Sequence, residues 1–212
     1  MSTEIELKYL LSDNDDNKRS VADKITAMLT EKCVDFEYSV KQLTNDYFDS
    51  EELDLRKMDI GLRIRTQGNK YEQTIKTAGK VVSGLHQRPE YNVDIESNHL
   101  ALALFPEHIW PKNIDIMTLQ KNLQVIFTTN FTRQAWLISQ GDSIIELALD
   151  RGTINTANCQ QPLVINELEV ELVKGEQQAL FKLAEQLKVI VAIEPGNLSK
   201  AARGYALRNS QK

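Results

Sequence analysis

Glu4-Ile5-Glu6-Leu7-Lys8-Tyr9-Leu10 alternates polar and apolar residues without a break. On a β-strand, successive side chains point to opposite faces, so Glu4, Glu6 and Lys8 share one face and Ile5, Leu7 and Tyr9 the other. One such strand usually has its polar face in solvent, as part of a half-solvated antiparallel sheet. Here the pattern repeats. Arg63 and Arg65 alternate with Leu62 and Ile64, and Glu72, Thr74 and Lys76 with Gln73 and Ile75. Arg88 and Glu90 flank Pro89, and Glu167, Glu169 and Glu171 interleave with Leu168, Val170 and Leu172. So many one-sided strands leave two options: a sheet with one face in water, or a sheet closed around a polar interior with its apolar face under helices.

The spacing predicts strands over Glu4–Leu11, Phe36–Phe48, Ile60–Thr66, Tyr71–Thr77, Gln87–Ile95, Gln124–Ser139, Ser143–Asp150 and Leu163–Val173. Gln67-Gly68-Asn69-Lys70 and Gln140-Gly141-Asp142 read as hairpin turns. A first helix is expected to run to about Glu31, with its cap among Ser12-Asp13-Asn14-Asp15-Asp16. Leu100–Lys121 reads as loop and helix interrupted by Pro106 and Pro111. Glu176–Lys188 is an amphipathic helix, and Ser199 caps a last short one. Eight strands is the number at which a barrel interior holds side chains or one small ligand, which favours closure. Residues 1–212 carry no internal repeat or linker and are expected to form a single domain of the α+β class: a closed eight-stranded antiparallel barrel with flanking helices.

With 25 Lys and Arg against 30 Asp and Glu, the net charge of −5 argues against a partner that is a nucleic-acid polymer, though not against a small anion held in a local field. No apolar run approaches the roughly 20 residues of a membrane span. Cys33 and Cys159 form no CxxC pair and read as incidental thiols of a reducing compartment, and Met1-Ser2-Thr3 followed by Glu4 and Glu6 leaves no signal peptide, so a cytoplasmic location is expected. His86, His99 and His108 lack zinc spacing and read as loop or surface residues, while Trp110 and Trp136 read as packing residues. Gly79 to Gly84 has the glycine spacing of a P-loop, but Leu85-His86 follows in place of Lys-Ser/Thr, so it is expected to be a turn between strands.

If the polar faces point inward, Glu4, Glu6, Asp150, Glu169 and Glu171 crowd one part of a confined space. Such a cluster needs divalent cations or protons to persist, and all-oxygen ligation points to Mg²⁺ or Mn²⁺. Opposite them stand Lys8, Arg63, Arg65, Lys76, Arg88, Arg133 and Lys200, the arginine forks and lysine charges suited to a polyphosphate. Together these imply phosphoryl transfer or nucleotidyl chemistry.

In these residues the chain resembles the CYTH domain of the triphosphate tunnel metalloenzymes. Glu4-x-Glu6-x-Lys8 matches the ExExK signature. Gly61-Leu62-Arg63-Ile64-Arg65, Gly84-Leu85-His86-Gln87-Arg88-Pro89-Glu90, Leu149-Asp150-Arg151-Gly152, Glu167-Leu168-Glu169-Val170-Glu171-Leu172 and Ser199-Lys200-Ala201-Ala202-Arg203-Gly204 follow in family order. It is most similar to the CYTH portion of bacterial inorganic triphosphatases, whose full chains usually continue into a C-terminal helical CHAD domain. The resemblance implies a tunnel fold and metal-dependent hydrolysis of tripolyphosphate to pyrophosphate and phosphate. Glu4, Glu6, Asp150, Glu169 and Glu171 would ligate metal, with Glu4 or Glu6 as the base. Lys8, Arg63, Arg65, Lys76, Arg133 and Lys200 would hold the phosphates, with Arg88 and Glu90 at a family position or simply paired with each other. A class IV-like adenylyl cyclase, a thiamine triphosphatase and a non-catalytic polyphosphate-binding module are the competing readings. The cyclase needs an adenine pocket. The thiamine enzyme needs an aromatic platform beside the arginine pair, where Gly61 precedes Arg63.

Overall fold

The computed structural model describes residues 2–12, 20–32, 34–157 and 161–210. Eight strands close into a barrel: β1 (Ser2–Leu11), β2 (Asp35–Asp49), β3 (Gly61–Gln67), β4 (Lys70–Lys76), β6 (Leu85–Ile95), β7 (Gln124–Gln140), β8 (Ser143–Asn155) and β9 (Leu163–Lys174). Their order around the ring is β1-β9-β8-β7-β2-β3-β4-β6, and β6 pairs back onto β1. That last pairing sets Glu4 opposite Arg88 and Glu6 opposite His86, while on the other side Glu6 faces Glu171 and Lys8 faces Glu169. All pairings are antiparallel. Two short strands are additions the alternation did not reveal: β5 (Lys80–Val82) on β6, and β10 (Ile193–Pro195) on β1. The stretch from Gly79 to Gly84 is thus a turn that carries a three-residue strand of its own. β3 and β4 join through Gly68-Asn69, with Gly68 at φ +58°, a conformation glycine adopts without steric cost.

The outward faces are apolar and covered. Leu7, Tyr9, Trp136, Ile138, Leu147, Leu168 and Val170 lie under α1 (Val21–Glu31) and α4 (Gln177–Ile190), which contribute Ile25, Leu29, Leu180, Leu183 and Leu187. Leu62, Ile75 and Tyr91 are covered by the segment between β6 and β7, which contains α3 (Ile116–Asn122), through Leu102, Phe105, Trp110 and Leu119. Gln73 pins that segment, exchanging two hydrogen bonds with the Ala101 backbone at 2.8 and 3.1 Å. Each of these side chains removes roughly 2–3 kcal/mol worth of apolar surface from water, so the helices hold the barrel round by its outside. Trp110 and Trp136 are packing residues, as expected.

The helix before β2 starts later than its acidic stretch suggested. Ser20 caps it, accepting from Asp23 N at 3.2 Å in a reciprocal capping box. Residues Asp13, Asn14, Asp15 and Asp16, as well as Cys33 and Cys159, lie outside the described residues. β2 ends in α2 (Asp54–Lys57), a single turn capped by the buried Asp49 carboxylate through Leu55 N and Arg56 N.

One end of the barrel is closed. α5 (Lys200–Asn209) lays Tyr205 and Leu207 on the inward residues Leu43, Tyr47, Phe127, Phe131, Ile154 and Ile165. Gly204 allows this approach, since a Cβ there would stand 2.6 Å from Phe127 Cζ and closer still to Cδ2 and Cε2. Tyr205 donates to Asp49 at 2.8 Å, fastening α5 to the end of β2.

Candidate active site

Above this apolar floor lies a cavity of about 400 Å³. Inward alternation brings Glu4, Glu6 and Lys8 of β1, Arg63 and Arg65 of β3, Lys76 of β4, Arg88 and Glu90 of β6, Arg133 of β7, and Glu169 and Glu171 of β9 to its wall. Lys200 reaches it from the first turn of α5, which Ser199 caps by accepting from Ala202 N at 3.1 Å. Of the metal-ligating and phosphate-binding residues expected from the sequence, Asp150 alone does not line the cavity. It lies behind the wall, fully buried, with its oxygens taken by Arg133 at 2.8 and 2.7 Å and by Lys200 at 2.6 Å.

The carboxylates divide into two groups, each with oxygens close enough to share a cation. Asp150, Glu167 and Glu169 are already answered by protein charges. Lys200 reaches all three at 2.6, 2.5 and 3.0 Å, Arg133 bonds Glu169 at 2.6 Å, Lys8 contacts Glu169 and Glu167, and Arg203 bonds Glu167 at 2.8 Å. Burial would raise the Glu169 carboxyl, but Lys200, Lys8 and Arg133 override it and hold it well below the usual range.

Glu4, Glu90 and Glu171 form the other group, with Glu6 beside them. Here cations are too few. Lys76 and Arg88 both go to Glu4, at 2.5 and 3.0 Å, and against the effect of burial they hold it at about 2. Arg88 does not pair with Glu90, which instead meets Lys76 at 3.3 Å and Arg63 at 3.7 Å. Glu6 keeps only distant contacts, Lys8 at 3.8 Å and Arg88 at 3.9 Å, and burial pushes its carboxyl up. Glu171 makes no ion pair among the described residues. Burial, then Glu4 and Glu6, raise it to about 8.

The cations show the mirror image. Arg65 makes no ion pair among the described residues, and its Nε donates to Asn45 at 2.8 Å. Burial, then Arg63 and Arg133, pull it down to about 10. Arg63 Nε is buried without a hydrogen-bond partner. One cavity therefore holds guanidinium groups short of an anion and carboxylates short of a cation.

Three further residues belong to this region. His86 is a correction: it is an inward residue of β6, 2% exposed, with Nε2 2.9 Å from Gly196 O. Its even number in the Arg88–Glu90 register was the available signal. Tyr47 stands opposite Arg63 and lines the cavity, so an aromatic does sit beside the arginine pair. Its ring stacks on Phe127 with centroids 4.5 Å apart, which occupies one of its two faces. Glu167, fully buried, carries the inward parity of Glu169, and the alternation marks it, though it is not among the ligands expected from the sequence.

Comparison with known proteins places these observations. Residues 2–205 match the CYTH domain family model. An inorganic triphosphatase of Haemophilus influenzae is 40% identical over 174 residues, 80% of this chain and 47% of the relative, so the chain spans about half the length of that protein. Among solved structures, a Hippeastrum protein proposed as an adenylyl cyclase and showing a dominant triphosphatase activity superposes with a TM-score of 0.66 at 20% identity, over 99% of this chain and 96% of that one. A Bacillus halodurans protein proposed as an adenylate cyclase gives 0.53 at 21% identity, over 96% and 98%. These two likenesses concern the fold.

Proposed function

The chain belongs to the CYTH domain family, and from that premise we propose that it is an inorganic triphosphatase, hydrolysing tripolyphosphate to pyrophosphate and phosphate with a divalent cation in the barrel. The observation that carries this reading is the double deficit in one cavity: among the described residues Arg65 and Glu171 make no ion pair, and Glu6 has cations no nearer than 3.8 Å. A metal–triphosphate complex supplies both missing charges. The donors are all carboxylate oxygens, which supports a hard cation such as Mg²⁺ or Mn²⁺.

Glu4, Glu6 and Glu171, with Glu90 and Glu169 alongside, are the residues that would hold the metal. When bound it supplies charge neutralisation at phosphate oxygens and acidifies water. Asp150 fits a supporting role, keeping Arg133 and Lys200 aimed inward. Arg63, Arg65, Lys76, Arg88 and Arg133 bind the phosphate oxygens and take up the charge that develops on them and on departing pyrophosphate. Lys8 and Lys200 close the deep end. Glu6 is the better-placed proton acceptor for the attacking water, because Lys76 and Arg88 are committed to Glu4 and make that carboxylate a weak base. Charged groups far outnumber the two tyrosines, Tyr47 and Tyr205, on the cavity wall, so the phosphate chain carries most of the binding. That disfavours the cyclase and the thiamine enzyme. The direct test is phosphate release from tripolyphosphate with and without Mg²⁺ or Mn²⁺; no release with either would remove the proposal.

The electrostatics give a pH dependence with a defined sign. A ligand carboxylate must be deprotonated, so metal affinity should rise roughly tenfold per pH unit below about 8, where Glu171 titrates, and level off above it. The native pKa of Glu171 lies above its ordinary 4.5, so the metal-free fold binds that proton more tightly than the unfolded chain does. Its stabilisation is complete below 4.5 and is lost as pH rises through about 8. Glu171→Gln should therefore melt higher than the parent at pH 9 without metal, by on the order of 5 °C, and should gain little from added Mg²⁺. Calorimetry of both proteins at pH 5 and pH 9 checks this. A lower melting temperature for the variant at pH 9 would contradict the assignment.

A further inference from the structure

We propose that Glu167 is a positioning residue that aims Lys200, and with it Lys8, at the substrate from behind the cavity wall. This rests on the triphosphate reading of the cavity. Glu167 is fully buried and does not line the cavity, whereas both lysines do. Its two oxygens are used differently. Oε2 accepts from Arg203 Nη1 at 2.8 Å, and Arg203 is itself tied to the Val164 carbonyl, so the carboxylate plane is fixed between β9 and α5. Oε1 is left to accept from Lys200 at 2.5 Å and Lys8 at 3.3 Å, one ammonium from α5 and one from β1.

An ammonium has three donors on a flexible four-carbon stem. Lys200 spends its three on Asp150, Glu167 and Glu169. To meet a phosphate it must release one. Glu169 is the acceptor that lines the cavity and makes the longest of the three bonds, 3.0 Å, so it is the partner that a phosphate oxygen replaces. Lys8 also shares itself between Glu169 and Glu167. Glu167 lies out of reach of the substrate and keeps its bond throughout, holding each lysine by the rear while its free donor turns forward. Charge alone does not do this. The carboxylate has to stand at the right depth.

Glu167→Asp separates depth from charge, since it keeps the anion and withdraws it by one methylene. A displacement of that size at a positioning group can cost about 100-fold. The expected result with tripolyphosphate and Mg²⁺ is a KM raised roughly 10–100-fold, with kcat changed less and the melting temperature within a few degrees of the parent. In a Lys200→Met background the same substitution should cost only about threefold or less, because the closer of the two lysines it acts through is gone and only the longer bond to Lys8 remains. Arg203→Lys loosens the same carboxylate from its partly exposed side, leaves the core ions in place, and should raise KM in the same direction by a smaller factor. An unchanged KM in Glu167→Asp, or an equal loss in both backgrounds, would overturn the positioning role while leaving the triphosphatase reading intact. A parent protein that neither binds nor cleaves tripolyphosphate overturns that reading and this inference with it.

Discussion

Arg65→Met should lower kcat/KM for tripolyphosphate by roughly 10–150-fold and leave the melting temperature almost where it was. A charge-assisted contact to a phosphate oxygen is worth about 1.5–3 kcal/mol, which sets that range. The unusual part is the stability. Arg65 is buried beside Arg63 and Arg133 and makes no ion pair among the described residues, so its charge costs the empty fold something. Removing it relieves that repulsion and at the same time strands the Asn45 carbonyl, which now accepts from Arg65 Nε at 2.8 Å. The two effects oppose each other at about 1–3 kcal/mol each. A residue kept for structure would show stability and activity falling together. Steady-state kinetics and a thermal melt on the same preparation decide between the two, and a drop of more than about 10 °C in the variant would assign Arg65 to the scaffold instead.

Gly204→Val should behave in the opposite way, losing stability first and activity as a consequence. Its side chain would enter the Phe127 ring, which is held by Tyr47 on one face and Tyr205 at its edge. Overpacking of this kind costs about 1–3 kcal/mol, or roughly 2–12 °C for a chain of this size. Because α5 carries Lys200 one turn before Gly204, displacing it also withdraws a cation from the deep wall. Gly204→Ala is the sharper probe. Alanine is favoured over glycine in a helix by about 1 kcal/mol, so only a real steric conflict can make it melt lower. An alanine variant that melts at or above the parent would show that α5 does not sit against Phe127 as described.

The barrel itself was legible because a closed polar interior imposes one parity on every strand. Leu62 and Ile64 outside, Arg63 and Arg65 inside, can be read from alternation alone, and the glycine turns at Gly68 and Gly141 set the hairpins. Parity gives the face of a strand but not the height along the axis. That is why Glu167, Glu169 and Glu171 looked alike. Only the register shows that Glu171 stands level with Glu6, Glu169 with Lys8, and Glu167 with Leu10, below the cavity. The same limit hid Asp150 behind Arg133, its direct partner on β7. Arg88 and Glu90 suggested a pair because they are neighbours on one strand face, yet each meets an opposite charge directly beside it on the adjoining strand, Glu4 on β1 and Lys76 on β4. His86 reads from sequence as a loop or surface residue because a lone histidine carries no motif. The closing of the floor by α5 had no local signal either, since Tyr205 and Leu207 are ordinary helix residues until the open end of a barrel is placed beneath them.

The central claim, that one cavity joins a cation-poor acidic wall to an anion-poor arginine wall so as to cleave a triphosphate, is tested most directly by product analysis. Tripolyphosphate and ATP are supplied separately, with Mg²⁺ or Mn²⁺ and with chelator, and phosphate, pyrophosphate and cyclic AMP are measured. The account predicts equal amounts of phosphate and pyrophosphate from tripolyphosphate, strict dependence on the metal, and a higher kcat/KM than for ATP. Cyclic AMP as the main product from ATP, or tight tripolyphosphate binding with no metal-dependent turnover, would contradict it.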